Sequence, residues 1–118
     1  NSTPSALGSM LETLRNTSIS GRKILVMGDM LELGPQAKTF HHDAGRKAAA
    51  AGVVLLVGVG TLTRTALESG RRSGIPEIHH DAGPNEAAAY IGNRLKPGDL
   101  VLVKGSRGIG LEKLTELL

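Results

Sequence analysis

Ile24-Leu25-Val26-Met27, Val53-Val54-Leu55-Leu56-Val57 and Leu100-Val101-Leu102-Val103 are three runs in which every residue is apolar. A strand with one face in water alternates apolar and polar residues, whereas a strand covered on both faces need not. The runs therefore predict buried strands of a parallel sheet. A weaker strand, Glu77-Ile78-His79, follows Pro76. Between the runs, apolar residues recur at helical spacing: Leu7, Leu11 and Leu14; Ala37, Phe40, Ala44, Ala48 and Ala51; Ala88, Ile91 and Leu95; Leu111, Leu114 and Leu118; and, more weakly, Leu62, Ala66 and Leu67. Each set lies on one face of a helix. The order is a helix followed by four strand–helix units. That order predicts an α/β fold of Rossmann-like, three-layer form: an open, mostly parallel sheet with helices on both faces.

The punctuation agrees. Thr3-Pro4 reads as a helix cap followed by a first-turn proline. Thr61, after Gly60, is placed to cap another helix, and Gly52 and Gly74 stand where helices should stop. Lys96-Pro97-Gly98-Asp99 has the order of a type II turn just before a strand.

The 118 residues make one domain. Phe40 and Tyr90 are the only aromatic residues of the Phe, Trp and Tyr class, so the core must be aliphatic. There is no cysteine, which removes disulfides and thiolate metal sites and favours a cytoplasmic setting. The formal charge of +3 is mild, and no Lys/Arg run or aromatic platform suggests nucleic acid. No apolar stretch approaches the roughly 20 residues that span a bilayer.

Ligands of open parallel sheets bind beyond the C-terminal ends of the strands. Two of these ends carry unusual residues. Gly28-Asp29-Met30-Leu31-Glu32-Leu33-Gly34 puts two carboxylates in one loop after a buried strand. They can hold an ammonium group, a ribose hydroxyl or Mg²⁺; equally, Asp29 can cap the next turn while Glu32 stays solvated. Lys104-Gly105-Ser106-Arg107-Gly108-Ile109-Gly110 offers a cation, a hydroxyl and a guanidinium fork on a glycine-rich turn that opens a helix, a setting for a carboxylate or phosphate. It is neither a P-loop nor a dinucleotide fingerprint. Neighbouring helix residues point about 100° apart, so His41 and His42 do not chelate one metal together. His79 and His80 end a strand, alternate to opposite faces and receive no role. No metal site and no catalytic triad is expected.

These segments, in this order, resemble the C-terminal domain of Mur ligases of the D-alanyl-D-alanine-adding type. Asn1-Ser2-Thr3-Pro4 is similar to the end of that family's Tyr-Asn-Ala-Asn-Pro segment, with Thr3 where Asn is usual. Gly28 to Gly34 is similar to its Gly-Asp-Met-x-Glu-Leu-Gly. His41 and Gly45 fall at the spacing of its histidine and following small residue, and Lys104-Gly105-Ser106-Arg107 matches its Lys-Gly-Ser-Arg. The Ser5 to Met10 stretch departs from the family's commoner Asp-Ser-Met.

The resemblance, which spans essentially all of residues 1–118, implies a fragment of a three-domain ligase. In such enzymes ATP activates the carboxylate of UDP-N-acetylmuramoyl-tripeptide, and D-Ala-D-Ala attacks the acyl phosphate. ATP and Mg²⁺ belong mainly to a central domain that carries the P-loop, so this fragment is expected to hold no cofactor tightly, to be inactive alone and to be monomeric, away from membrane and nucleic acid. By the same resemblance Asn1 and Thr3 lie near the nucleotide. Asp29 or Glu32 meets the dipeptide ammonium, His41 orders that loop or touches substrate, and Lys104, Ser106 and Arg107 hold the dipeptide carboxylate or a phosphate. None of these is expected to be catalytic in the narrow sense. Two rivals stand beside this reading: a free-standing α/β module for a small anion or nucleotide, and the C-terminal domain of another Mur ligase. Absence of an Asp-Asn-Pro-Arg segment argues against the diamino-acid-adding type.

Overall fold

The computed structural model describes residues 3–105. The expected helix bearing Leu111, Leu114 and Leu118 lies outside them. The order is α1 (Pro4–Arg15), β1 (Lys23–Gly28), a 3-10 turn at Gly34–Gln36, α2 (Ala37–Ala50), β2 (Val53–Val59), α3 (Thr63–Arg72), β3 (Glu77–Asp81), α4 (Pro84–Gly92) and β4 (Leu100–Lys104). The strands form one sheet in the order β3-β2-β1-β4, and all three pairings are parallel.

The side-chain alternation of β1 explains why its run carries no polar residue. Leu25 and Met27 point into a cluster with Leu7, Leu11 and Leu14 of α1, Ala44 and Ala48 of α2, and Ala66 and Leu67 of α3. Ile24 and Val26 point the other way, with Leu55, Val57 and Val59 of β2, onto Ala87, Ala88 and Ile91 of α4. β1 and β2 are thus covered on both faces, as their runs require, whereas β4, at the edge of the sheet, is only half-buried along its length. Each buried Val, Leu, Ile or Met side chain contributes about 1.5–3 kcal/mol.

Three expectations shift in detail. The buried stripe of α2 centres on His41, Ala44, Gly45 and Ala48, while Phe40 is only partly covered. The reason is close packing of α2 on α3: a Cβ at Gly45 would land on the Ala66 carbonyl and 2.8 Å from the Gly70 nitrogen. Helix α4 stops at Gly92, so Leu95 lies beyond it and is 37% exposed. Thr61 does not cap α3, whose N-cap is Leu62 without any side-chain hydrogen bond.

Two polar ties close the N-terminal edge of the sheet. Lys23 opens β1, and its Nζ donates to the Leu14 carbonyl (2.7 Å) and the Ala51 carbonyl (3.1 Å). One ammonium therefore serves the C-terminal ends of α1 and α2 together, where the helix dipoles favour a cation. Nearby, Asp99 accepts from the Arg22 side chain at 2.7 Å, from the Arg22 amide at 3.0 Å and from the Lys96 amide at 3.0 Å. The Asp99 N–H donates to the Lys96 carbonyl, closing the expected turn, with Gly98 at φ +91°. The Asp99 side chain is 3% exposed, and the Arg22 hydrogen bond holds its carboxyl far below the ordinary value of 3.8.

Gly45→Ala should destabilise the fold by about 1–3 kcal/mol through overpacking, read as a lower urea midpoint at unchanged slope. An unaltered midpoint would show that α2 and α3 have slack. Asp99 gives a pH test. A carboxyl with a depressed folded pKa adds stability that is fully present above 3.8 and is lost as pH falls towards its folded value. Asp99→Asn should therefore be less stable than the parent at neutral pH, with the gap narrowing below pH 3.8. A gap independent of pH would remove the charge from the account.

Candidate functional site

In a parallel sheet all strands end at one edge and the following helices begin there, which gathers unpaired helix amides on that edge. Here the edge holds Gly28-Asp29-Met30 after β1, Gly60-Thr61-Leu62 after β2, Asp81 at the end of β3 and Lys104-Gly105 at the end of β4. Register sets these ends side by side: Gly28 pairs with Val59, Val59 with Asp81, and Met27 with Lys104. The chain leaves β1 through α2 towards β2, yet β4 comes in on the opposite side of β1. Between β1 and β4 the winding reverses, and that is where doubly wound sheets open a crevice for ligands. The Gly28–Gly34 loop and Lys104 flank this point. Helix α1 also has its N-terminus at this edge, because its C-terminal carbonyl is tied to Lys23 at the other one. Pro4, Leu7, Met30 and Phe40 accordingly share one cleft of about 230 Å³.

Asp29 is 8% exposed. Its Oδ1 accepts from the Thr63 amide at 3.0 Å, so it caps α3 from across the sheet rather than the next turn of its own loop. Gly60 lies against the carboxylate; a Cβ there would be 2.6 Å from both oxygens. Among the described residues, Oδ2 has no hydrogen-bond donor. A nearly buried carboxylate with one oxygen unclaimed suits an ammonium or another donor-rich ligand.

His41 is fully buried. Its Nε2 accepts from the Met30 amide at 3.0 Å, and its Nδ1 lies 2.6 Å from the Ala37 carbonyl. A carbonyl can only accept and an amide can only donate, so the ring is neutral with the proton on Nδ1. Of the two roles open to His41, ordering the loop is the one its contacts occupy. Glu32 is exposed and takes left-handed backbone, φ 61°, which is costly for a residue with a Cβ. Thr3 caps α1 by accepting from the Ala6 amide at 3.1 Å. Lys104 ends β4, half-buried. Asn1, Ser106 and Arg107 fall outside the described residues.

Sequence reasoning missed the β2–α3 turn. Thr63, fully buried, donates its hydroxyl to the Gly60 carbonyl at 2.6 Å, and its amide serves Asp29. His80 Nε2 reaches the same carbonyl at 2.8 Å, while His79 stacks on Tyr90 on the other face, 3.5 Å between ring centres. The two histidines do diverge, as alternation requires. A hint was present in Gly60, a residue without a side chain at a strand end, but the partner it makes room for is remote in sequence.

The chain matches the family model described as "Mur ligase, glutamate ligase domain" over residues 1–107. It is similar to the UDP-N-acetylmuramoyl-tripeptide–D-alanyl-D-alanine ligase of Mycobacterium leprae, 35% identical over 107 residues, covering 86% of this chain and 20% of that protein. The ligase of the same name from Bacillus subtilis is 26% identical over 117 residues, covering 98% of this chain and 26% of that one. Among solved structures, the MurF ligase of Thermotoga maritima in complex with ADP superposes with a TM-score of 0.80 at 26% identity, over 99% of this chain and 26% of that chain. A MurF crystal structure from Acinetobacter baumannii gives 0.81 at 28% identity, over 98% and 26%. The chain therefore spans about a quarter of the length of the relatives it matches. No helix among the described residues is long and apolar enough to cross a membrane.

Nitrogen-15 NMR of the imidazoles should find His41 protonated at Nδ1 with Nε2 a bare acceptor. His41→Ala should cost about 1–3 kcal/mol, since the buried Met30 amide loses its acceptor. An Nε2-protonated His41 would refute the loop-anchoring role.

Proposed function

The chain belongs to the Mur ligase family as its glutamate ligase domain, and from that premise we propose that it is the C-terminal, acceptor-binding domain of a three-domain, ATP-dependent ligase that joins D-Ala-D-Ala to UDP-N-acetylmuramoyl-tripeptide. The observation that carries the reading is the meeting of two family-like motifs at one switch point. Gly28–Gly34 brings a sheltered carboxylate oxygen there, and Lys104 brings a cation. The names of the relatives support the substrates, and ADP in the Thermotoga structure supports the nucleotide.

In the reaction, the γ-phosphoryl group of ATP passes to an oxygen of the tripeptide's terminal carboxylate, giving ADP and an acyl phosphate. The amine of D-Ala-D-Ala attacks the acyl carbon. The new C–N bond forms, the C–O bond to phosphate breaks, and the ammonium's surplus protons are released. This chain's share is binding and exclusion of water. Asp29 holds the incoming ammonium through Oδ2 and keeps it near the crevice. The stretch Lys104, Ser106 and Arg107 neutralises an anion, either the dipeptide carboxylate or the phosphate as it takes charge. Glu32 sits at the rim of the same loop, and His41 fixes the loop from beneath. Asn1 and Thr3 belong to the segment that joins this domain to the nucleotide-binding one. Closure over the acyl phosphate protects it from hydrolysis.

Mg²⁺ in this reading is held by the P-loop domain. Among the described residues no three His, Asp or Glu side chains gather as a metal site requires. The setting is cytoplasmic and the ligase monomeric.

The test has two parts. The 118-residue chain alone should release no phosphate from ATP when given both substrates. In the full ligase, Asp29→Asn and Arg107→Ala should each raise the KM for D-Ala-D-Ala about tenfold or lower kcat by a similar factor, the loss of one charge-assisted contact. Ligase activity from the chain alone would overturn the domain assignment. Unchanged acceptor kinetics in both variants would remove these residues from the site.

A further inference from the structure

We propose that His80 is a positioning residue for the acceptor site, acting on Asp29 through the peptide of Gly60. The inference rests on the assignment of Asp29 to the acceptor ammonium.

Gly60 is held from three directions. Its carbonyl accepts from Thr63 Oγ1 at 2.6 Å and from His80 Nε2 at 2.8 Å, which uses both lone pairs. Its amide donates to the Asp81 carbonyl at 3.3 Å. Its Cα side faces the Asp29 carboxylate with no room for a methyl group, and its φ of +111° is open to glycine but strained for other residues. The Thr63 amide, one short turn on, is the donor that fixes Asp29 Oδ1. The Gly60 carbonyl accepts only, so His80 carries its proton on Nε2. Among the described residues His80 is the one side chain of β3 that hydrogen-bonds to this turn, and it ties the end of β3 to the turn that leads into α3 and its Asp29 cap. Loss of that donor leaves the Gly60 carbonyl with Thr63 Oγ1 as its one donor among the described residues, so the turn that sets the Thr63 amide loosens and the carboxylate is held less closely in line.

The experiment is steady-state kinetics of the full ligase carrying His80→Ala, His80→Gln or Asp29→Asn, with all three substrates varied. His80→Ala should raise the KM for D-Ala-D-Ala about five- to tenfold, the loss of one hydrogen bond. The KM values for ATP and the UDP-linked tripeptide should hold, and His80→Gln, which keeps a donor, should recover most of the loss. A general loosening of the fold would instead lower activity without selecting the acceptor, and that result overturns the proposal. An acceptor KM unchanged in His80→Ala but raised in Asp29→Asn overturns the positioning role and leaves the acceptor site standing. Unchanged KM for D-Ala-D-Ala and unchanged kcat in both variants remove Asp29 from the site and His80 with it.

Discussion

A carboxylate that caps a helix it does not belong to is the tie on which the binding edge of this domain depends. Asp29 opens the loop after β1, yet its Oδ1 takes the first amide of α3, 34 positions further along the chain. A free helix start leaves amides to water, and a buried start must find acceptors within the fold. Here the acceptor is charged, so the tie combines a hydrogen bond with a favourable helix dipole. It also fixes where the second carboxylate oxygen stands. Gly60 makes the approach possible by offering no side chain where the carboxylate lies.

The same edge is stiffened by neutral groups beneath it. His41 is buried without charge because each of its nitrogens faces a backbone partner of fixed polarity. It spans from the first turn of α2 to the Met30 amide, so the Gly28–Gly34 loop cannot drift from the helix that follows it. Glu32 then takes left-handed backbone in the same loop. Strain of this kind persists only where surrounding contacts over-determine the conformation, and the anchored Met30 supplies one such constraint.

At the opposite edge the chemistry differs. Lys23 and the Arg22–Asp99 pair join elements by charge: one ammonium on two helix ends, one carboxylate on a guanidinium and two amides. These contacts fix the heights at which β1 and β4 begin. Because parallel strands share register along their length, they also fix the heights at which Met27 and Lys104 stand at the far edge. Precision at the site is thus inherited in part from ion pairing at the other end of the strands.

Much of this was legible from sequence. Unbroken apolar runs in β1, β2 and β4 demand cover on both faces, which restricts the chain to a layered α/β fold, and the Thr3-Pro4 cap and the Gly98 turn follow from local backbone chemistry alone. Local rules also placed Asp29 and Lys104 at strand ends. They could not pair β1 with β4, because strand order is settled by which faces the crossover helices bury, a property of the whole chain. They put the cap of α3 on Thr61, the nearest hydroxyl, where tertiary packing supplied Asp29 from another strand. They gave His80 no task, since its partner is a carbonyl 20 positions away whose orientation exists only once β2 and β3 lie side by side. Sequence determined the elements and the residues available at their ends; the packed sheet decided which of those residues meet, because hydrogen bonds between remote segments depend on register and layer, and neither is encoded locally.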